Sequence, residues 1–287
     1  MEVLVDWLPE NYEEAWTLSE SVSREGVCLH SGLNSYVVLS PSDSLGFHVE
    51  FLDQDASPQT LHPSQVVSTQ LCTTLKLGNR TLGTVEHLLA ALVGCGLTHV
   101  NIQVSGTEVP LLDGSSLGWV EAIKEAGIKS AGSERNTMRP LKNPLTIYKG
   151  QSVVTAVPSD SLKLIGIIDF PYPAIGKQIF SIDLTPRKFV GEIAPARTFG
   201  FKDQVDDLMA KGLIKGGNLE NSLVCDGSFW LNPPLRFEDE PVRHKILDLI
   251  GDLALVGLPK AQVLVYRGSH ALHAELAAAF LEENLST

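Results

Sequence analysis

A histidine and a carboxylate stand one helical turn apart in this sequence, at His244 and Asp248. The stretch around them, RFEDEPVRHKILDLIGD (236–252), predicts a helix entered through Glu240-Pro241. Proline suits the first helical position, where its missing N–H has no partner to lose. At about 100° per residue with His244 at 0°, Asp248 falls at about 40°, Asp252 at about 80° and Lys245 at about 100°. The leucines and isoleucines of the stretch take the opposite arc. H-x-x-x-D is a spacing that two ligands of one metal can use. The plain alternative is an amphipathic helix with a stray histidine, but a solvated face would mix signs and use long Lys/Glu pairs.

A third ligand follows from repetition. The first half reads VEHLLAALVG (85–94), then Gly-Leu, the strand VNIQV (100–104) and GSSL before a helix. The second reads VRHKILDLIG (242–251), then Gly-Leu, the strand QVLVY (262–266) and GSHAL before a helix. His87 aligns with His244. The Gly-Leu pair follows the histidine by nine residues in one copy and by thirteen in the other, a difference of about one turn that keeps the phase. Two matched helices facing each other would let their histidines meet. Ala91 stands where the second copy has Asp248, so one copy offers one ligand and the other two.

His87, His244 and Asp248 leave a fourth position open, the pattern of a catalytic zinc. Two nitrogens and a carboxylate suit zinc or iron(II) better than magnesium. Glu86 adjoins a ligand inside an apolar helix and is the candidate base; its other reading is an N-terminal acid favoured by the helix dipole. His270 occupies the loop-to-helix step after the last strand. Asp252 ends the polar sector and could hold it protonated, as an acid for a leaving amine. His273, one turn on, is as well read as a surface histidine. His30, in the loop 26–32, faces either a site or solvent.

The elements that must position these groups predict an α+β fold. It would have two similar modules from an internal duplication, each a small, mostly antiparallel sheet layered on helices, with the active site between them. The polar stretch 130–144 is the linker candidate, dividing the chain into modules 1–132 and 133–287. In the first, 23–26 reads as a turn, 35–39 and 47–51 as strands, 66–77 as further β sequence, and 83–94 as a helix capped by Thr84. Strand 100–104 and helix Leu117–Ala126 follow. In the second, 145–148, 152–157 and 162–168 read as a β-meander, with a βαβ-like insert at 197–224, a strand at 261–266 and a helix from His270.

Composition sets outer bounds. Of 287 residues, 44% are apolar, enough for a real core, and 22 basic against 34 acidic residues give a net charge of −12. That balance disfavours nucleic acid and anionic membranes as broad partners. Cys28, Cys72, Cys95 and Cys225 form no C-x-x-C pair and read as reduced thiols of a cytoplasmic protein. The opening MEVLVDWLPENYEE lacks the form of a signal peptide, and no run suits a transmembrane helix.

Several long motifs carry a resemblance. CLHSG (28–32), TVEH (84–87), VPLLDGSS (109–116), ARTFGF (196–201), LRFEDEP with VRHKILDLIGDL (235–253) and the His270-Ala271-Leu272 step resemble the zinc-dependent UDP-3-O-acyl-N-acetylglucosamine deacetylases of bacterial lipid A synthesis, nearly end to end. The resemblance implies hydrolysis of the N-acetyl group of UDP-3-O-(3-hydroxyacyl)-N-acetylglucosamine to free amine and acetate, the committed step of lipid A (lipopolysaccharide) formation, by an enzyme carrying one zinc; separately, the chain is expected to be a monomer. It implies His87, His244 and Asp248 as ligands, Glu86 as base and His270 paired with Asp252 as acid. It implies Thr198 at the oxyanion, Lys245, Phe199, Phe170 and His30 against substrate, and Arg267 toward the diphosphate. The chain departs from the family's usual pattern at Gly268-Ser269, where Ser-Gly is usual, at His273, where Asn is frequent, and at Gln70, where Met is common. Two other readings are a zinc amidohydrolase of a different acylated sugar and a non-catalytic binder of metal or nucleotide sugar. The second gives no reason for Glu86, Asp252 and His270 to occur together.

Overall fold

The computed structural model describes residues 6–53, 57–132 and 138–285. Two β-sheets of matching topology flank a pair of central helices, Glu86–Gly94 and Glu240–Leu253. In the first sheet Val22–Val27 pairs antiparallel with Asn34–Pro41, which pairs antiparallel with His99–Val104. His99–Val104 then runs parallel to Gly46–Phe51, whose other edge carries Gln59–Thr60 antiparallel. The second sheet repeats this order and orientation with Leu145–Lys149, Ser152–Pro158, Pro259–Tyr266, Lys163–Asp169 and Lys177–Asp183. In each, the strand after a central helix enters the middle of the sheet.

That insertion corrects the expected meander, because Ser152–Pro158 and Lys163–Asp169 are separated by Pro259–Tyr266. A parallel pair needs a long crossover, here supplied by everything between 169 and 259, the second central helix included. The expected turn at 23–26 is also corrected. These residues lie within strand Val22–Val27, where Arg24 pairs Val37 and ties its guanidinium to Glu125. Alternating burial along Asn34–Pro41 and Gly46–Phe51 shows the period-2 pattern of strands with one face on a core.

The linker candidate lies partly outside the described residues, at 133–137, as do residues 1–5 of the opening stretch. On either side of that gap, Ile128–Ser130 pairs with Trp16–Leu18 and Arg139–Pro140 pairs with Pro259–Lys260. Among the described residues no helix is long and apolar enough to cross a membrane.

The central helices touch backbone to side. A β-carbon at Gly251 would lie 2.1 Å from the Glu86 carbonyl oxygen, so only glycine allows this approach. Gly94 meets the Phe189 ring in the same way, at 2.5 Å. The buried leucines and isoleucines of both helices join one continuous core with both sheets. The expected Thr84 cap is not formed. Thr84 adopts φ +55° and gives its hydroxyl to buried Glu108, and the helix begins at Glu86 without a side-chain cap.

Candidate active site

The two central helices bring their histidines together. The His87 and His244 rings meet edge-on with centroids 4.9 Å apart. Nε2 of His244 lies 3.4 Å from Oδ1 of Asp248, and Nε2 of His87 lies 3.7 Å from the same oxygen. One ligand atom from each residue falls within 4.8 Å of the other two, and all three residues are buried.

The donor set fits a cation. Oδ1 of Asp248 is buried without a hydrogen-bond partner among the described residues, and so is Nδ1 of His87. A buried, unpaired carboxylate oxygen is costly unless something positive satisfies it. Nδ1 of His244 bonds to the Ala196 carbonyl at 3.0 Å. A carbonyl only accepts, so that nitrogen carries the hydrogen and Nε2 is left as a lone pair. Burial, then the neighbouring His244, pushes the His87 imidazole down to about 3, which keeps it neutral as a ligand must be. Burial raises Asp248, but Lys245 and the surrounding histidines outweigh it and hold the carboxyl well below its usual range. Nζ of Lys245 stands 2.8 Å from Oδ2 of Asp248 and lies over the Phe199 ring.

A second pair of groups borders this cluster. Oε1 of Glu86 is 3.8 Å from Nε2 of His270, and that nitrogen is 4.0 Å from Oδ2 of Asp248. The Thr73 N–H donates to Oε2 of Glu86 at 3.0 Å. Burial raises the Glu86 carboxyl well above its usual range, with His270 pulling the other way. Nδ1 of His270 donates to Oδ2 of Asp252 at 2.9 Å. Burial lowers the His270 imidazole, but Asp252 and then Glu86 lift it to about 10.

The insert forms one wall. Phe199–Phe201 and Leu223–Asp226 pair in parallel, with helix Lys202–Ala210 between them. No residue of that helix is buried. It flanks a cavity of about 500 Å³ lined by Leu29, His30, Thr198, Val205, Leu208 and Met209, among others. Thr198 is fixed there by its N–H to the Gly114 carbonyl at 2.7 Å. The His30 loop is clamped by Glu108, which accepts from the His30 and Ser31 N–H groups. Burial lowers the His30 imidazole. A separate cavity of about 400 Å³ is lined by Phe170, Lys245, Arg267 and Gly268. Phe170 meets Phe199 edge-on at 5.6 Å. Arg267 does not stand free there, since it pairs with Asp169 at 3.0 Å and with Gln151.

The motif stretches dock on one another. Arg197 bonds Glu240, which has no exposed surface and also accepts from the Arg236 N–H. Arg236 in turn pairs with Asp113 at 2.8 Å. Sequence reasoning missed Glu240, Glu108 and Thr73; nothing in their spacing marks them. It also left His273 open as a surface residue, whereas His273 is buried and bonded to Asp252.

A family model described as UDP-3-O-acyl N-acetylglycosamine deacetylase matches residues 15–282. The UDP-3-O-acyl-N-acetylglucosamine deacetylase of Thermosynechococcus vestitus is 48% identical, covering 94% of each chain. That of Trichormus variabilis is 45% identical over 92% of this chain and 97% of its own. That of a Geobacter species is 40% identical over 84% of this chain and 80% of its own.

Proposed function

The chain belongs to the UDP-3-O-acyl N-acetylglycosamine deacetylase family, and from that premise we propose that it hydrolyses the N-acetyl group of UDP-3-O-(3-hydroxyacyl)-N-acetylglucosamine, in the committed step of lipid A biosynthesis. The observation that carries this reading is the pairing of Glu86 and His270 beside the His87–His244–Asp248 cluster. His87, His244 and Asp248 would hold one zinc ion. When bound, it supplies Lewis-acid polarisation of a carbonyl and acidifies water at neutral pH. Glu86, whose carboxyl burial raises well above its usual range, takes a proton from the attacking water. Nε2 of His270 gives a proton to the amide nitrogen as the C–N bond breaks, so one water and one amide become acetate and a free amine. Asp252 keeps that imidazole charged and aimed. Lys245 and Thr198 are assigned to the carbonyl oxygen as negative charge develops on it.

Phe199 and Phe170 would pack against the sugar and its chain, and His30 would face the passage. Arg267 would meet the diphosphate by exchanging its Asp169 partner. The apolar cavity beside the insert is read as a passage for the 3-O-acyl chain, since the insert helix buries none of its residues against the parent domain. The modules divide near 132/133, with the site between them. The four free cysteines, all buried, suit a reducing cytoplasm, and the protein is read as a monomer.

The test is acetate release from the N-acetylated UDP-sugar against release from other acylated amino sugars. Turnover of the first alone supports the reading. Turnover only of another sugar points to a different amidohydrolase, and turnover of none to a binding protein.

A further inference from the structure

Asp252 receives more than His270. Nδ1 of His273 stands 2.9 Å from Oδ2 of Asp252, the same oxygen that receives Nδ1 of His270 at 2.9 Å. An ionised carboxylate only accepts, so both facing ring nitrogens carry hydrogen. The hydroxyl of Thr73 donates to the other oxygen, Oδ1. Three donors thus fix the plane of a carboxylate that is 2% exposed.

The His273 ring is itself held in place. It sits one turn after His270 on helix His270–Leu285, is 1% exposed, and its N–H bonds the Ser269 carbonyl. Its other nitrogen, Nε2, is buried without a hydrogen-bond partner among the described residues. A β-carbon at Gly268 would lie 2.8 Å from that nitrogen and 2.7 Å from Cγ1 of Val265. The ring therefore fills the space between Asp252 and the backbone of Gly268. A histidine at 273 and a glycine at 268, rather than at 269, fit each other sterically.

We propose that His273 is a positioning residue for the acid–base pair. Acting through Asp252, it holds His270 at its 3.8 Å approach to Glu86, and it governs turnover rather than substrate affinity. The proposal rests on the deacetylase reading above. Removing the His273 donor leaves Oδ2 with one donor instead of two and loosens the carboxylate, which Thr73 and His270 then hold alone. His270 would loosen with it, while the metal ligands and both substrate cavities stay intact.

The experiment compares steady-state deacetylation, metal content and thermal melting for wild type, His273→Leu and His273→Asn. Leucine keeps the volume and removes the donor; asparagine restores an N–H near the Nδ1 position. The expected result for leucine is a kcat lower by about 10-fold or more, with KM and metal content close to wild type. Asparagine should recover most of the lost kcat. If the leucine variant does not fold, His273→Ala takes its place against the asparagine variant. An unchanged kcat in the donor-less variant, or an asparagine variant as slow as it, overturns the proposal. An inactive wild type would instead overturn the deacetylase reading.

Discussion

Nε2 of His270 lies 3.8 Å from Oε1 of Glu86, and the opposite ring nitrogen of His270 is bonded to Asp252. One imidazole is thus held between two carboxylates in different electrostatic settings. Burial raises Glu86 above the ordinary carboxylate range; burial also raises Asp252, but the charge of His270 and then the hydrogen bonds from His270 and His273 outweigh it and hold Asp252 below that range. In the proposed mechanism Glu86 acts ionised while His270 is still protonated.

The pH dependence of turnover follows. Activity rises as Glu86 loses its proton, at a pH above that of an exposed glutamate. It falls as His270 loses its proton, on a limb lying toward about 10 rather than near the usual histidine value. Removing the Asp252 charge takes away the main upward influence on His270, so Asp252→Asn should move the basic limb down. Glu86→Gln should lower kcat by about 10²–10⁴-fold and remove the acidic limb while retaining metal. Wild-type turnover in Glu86→Gln would reduce Glu86 to a structural acid.

Gly251→Ala tests the packing that assembles the site. The added carbon would sit 2.1 Å from the Glu86 carbonyl oxygen, so the helices must part. Overpacking of this kind costs about 1–3 kcal/mol or more, and the displaced backbone is that of Glu86 and His87. The expected outcome is a lower melting temperature together with weaker metal retention. A variant with wild-type melting and wild-type metal content would show that the approach is not what sets ligand geometry.

Glu240 anchors the entry to the second central helix. It is fully buried and bonds Arg197 and the Arg236 N–H. Glu240→Ala leaves the largely buried Arg197 charge without its carboxylate, a loss of about 3–5 kcal/mol. Denaturant unfolding should show this as a lower midpoint at similar slope. An unchanged midpoint would mean that water replaces the pair at little cost.

The proposed acyl passage predicts a chain-length effect on kcat/KM. Each buried methylene contributes on the order of 0.8 kcal/mol. A substrate lacking the 3-O-acyl chain should therefore lose several kcal/mol, even after discounting for chain ordering. Comparing long-chain and 3-O-deacylated substrates measures it. Similar values for both would return the insert to simple packing on the domain.

The clustering of the candidate site residues was more legible in the sequence than the topology. Helical spacing placed His244, Asp248 and Asp252 on one face, and the internal likeness brought His87 to them; all are buried in one region. The strand order was not legible, because nothing local marks Pro259–Tyr266 as the middle of its sheet. The stretch at 23–26 looked like a turn from its Ser and Gly content, yet its pairing with Asn34–Pro41 overrides that propensity. Thr73, Glu108 and Glu240 act through partners distant in sequence, so only the folded chain shows what their polar atoms meet. His273 carried a partial signal, standing one turn after His270, but its partner Asp252 comes from another helix.

The central claim is that the two matched helices jointly hold one catalytic metal ion. Its most direct test is the metal content per chain of purified wild type, His244→Ala and Asp248→Ala. The account predicts about one zinc per chain in wild type and little in either variant. Each substitution removes one of three ligands and, in the second case, the buried carboxylate whose Oδ1 has no other partner among the described residues. Full zinc retention in both variants would contradict it.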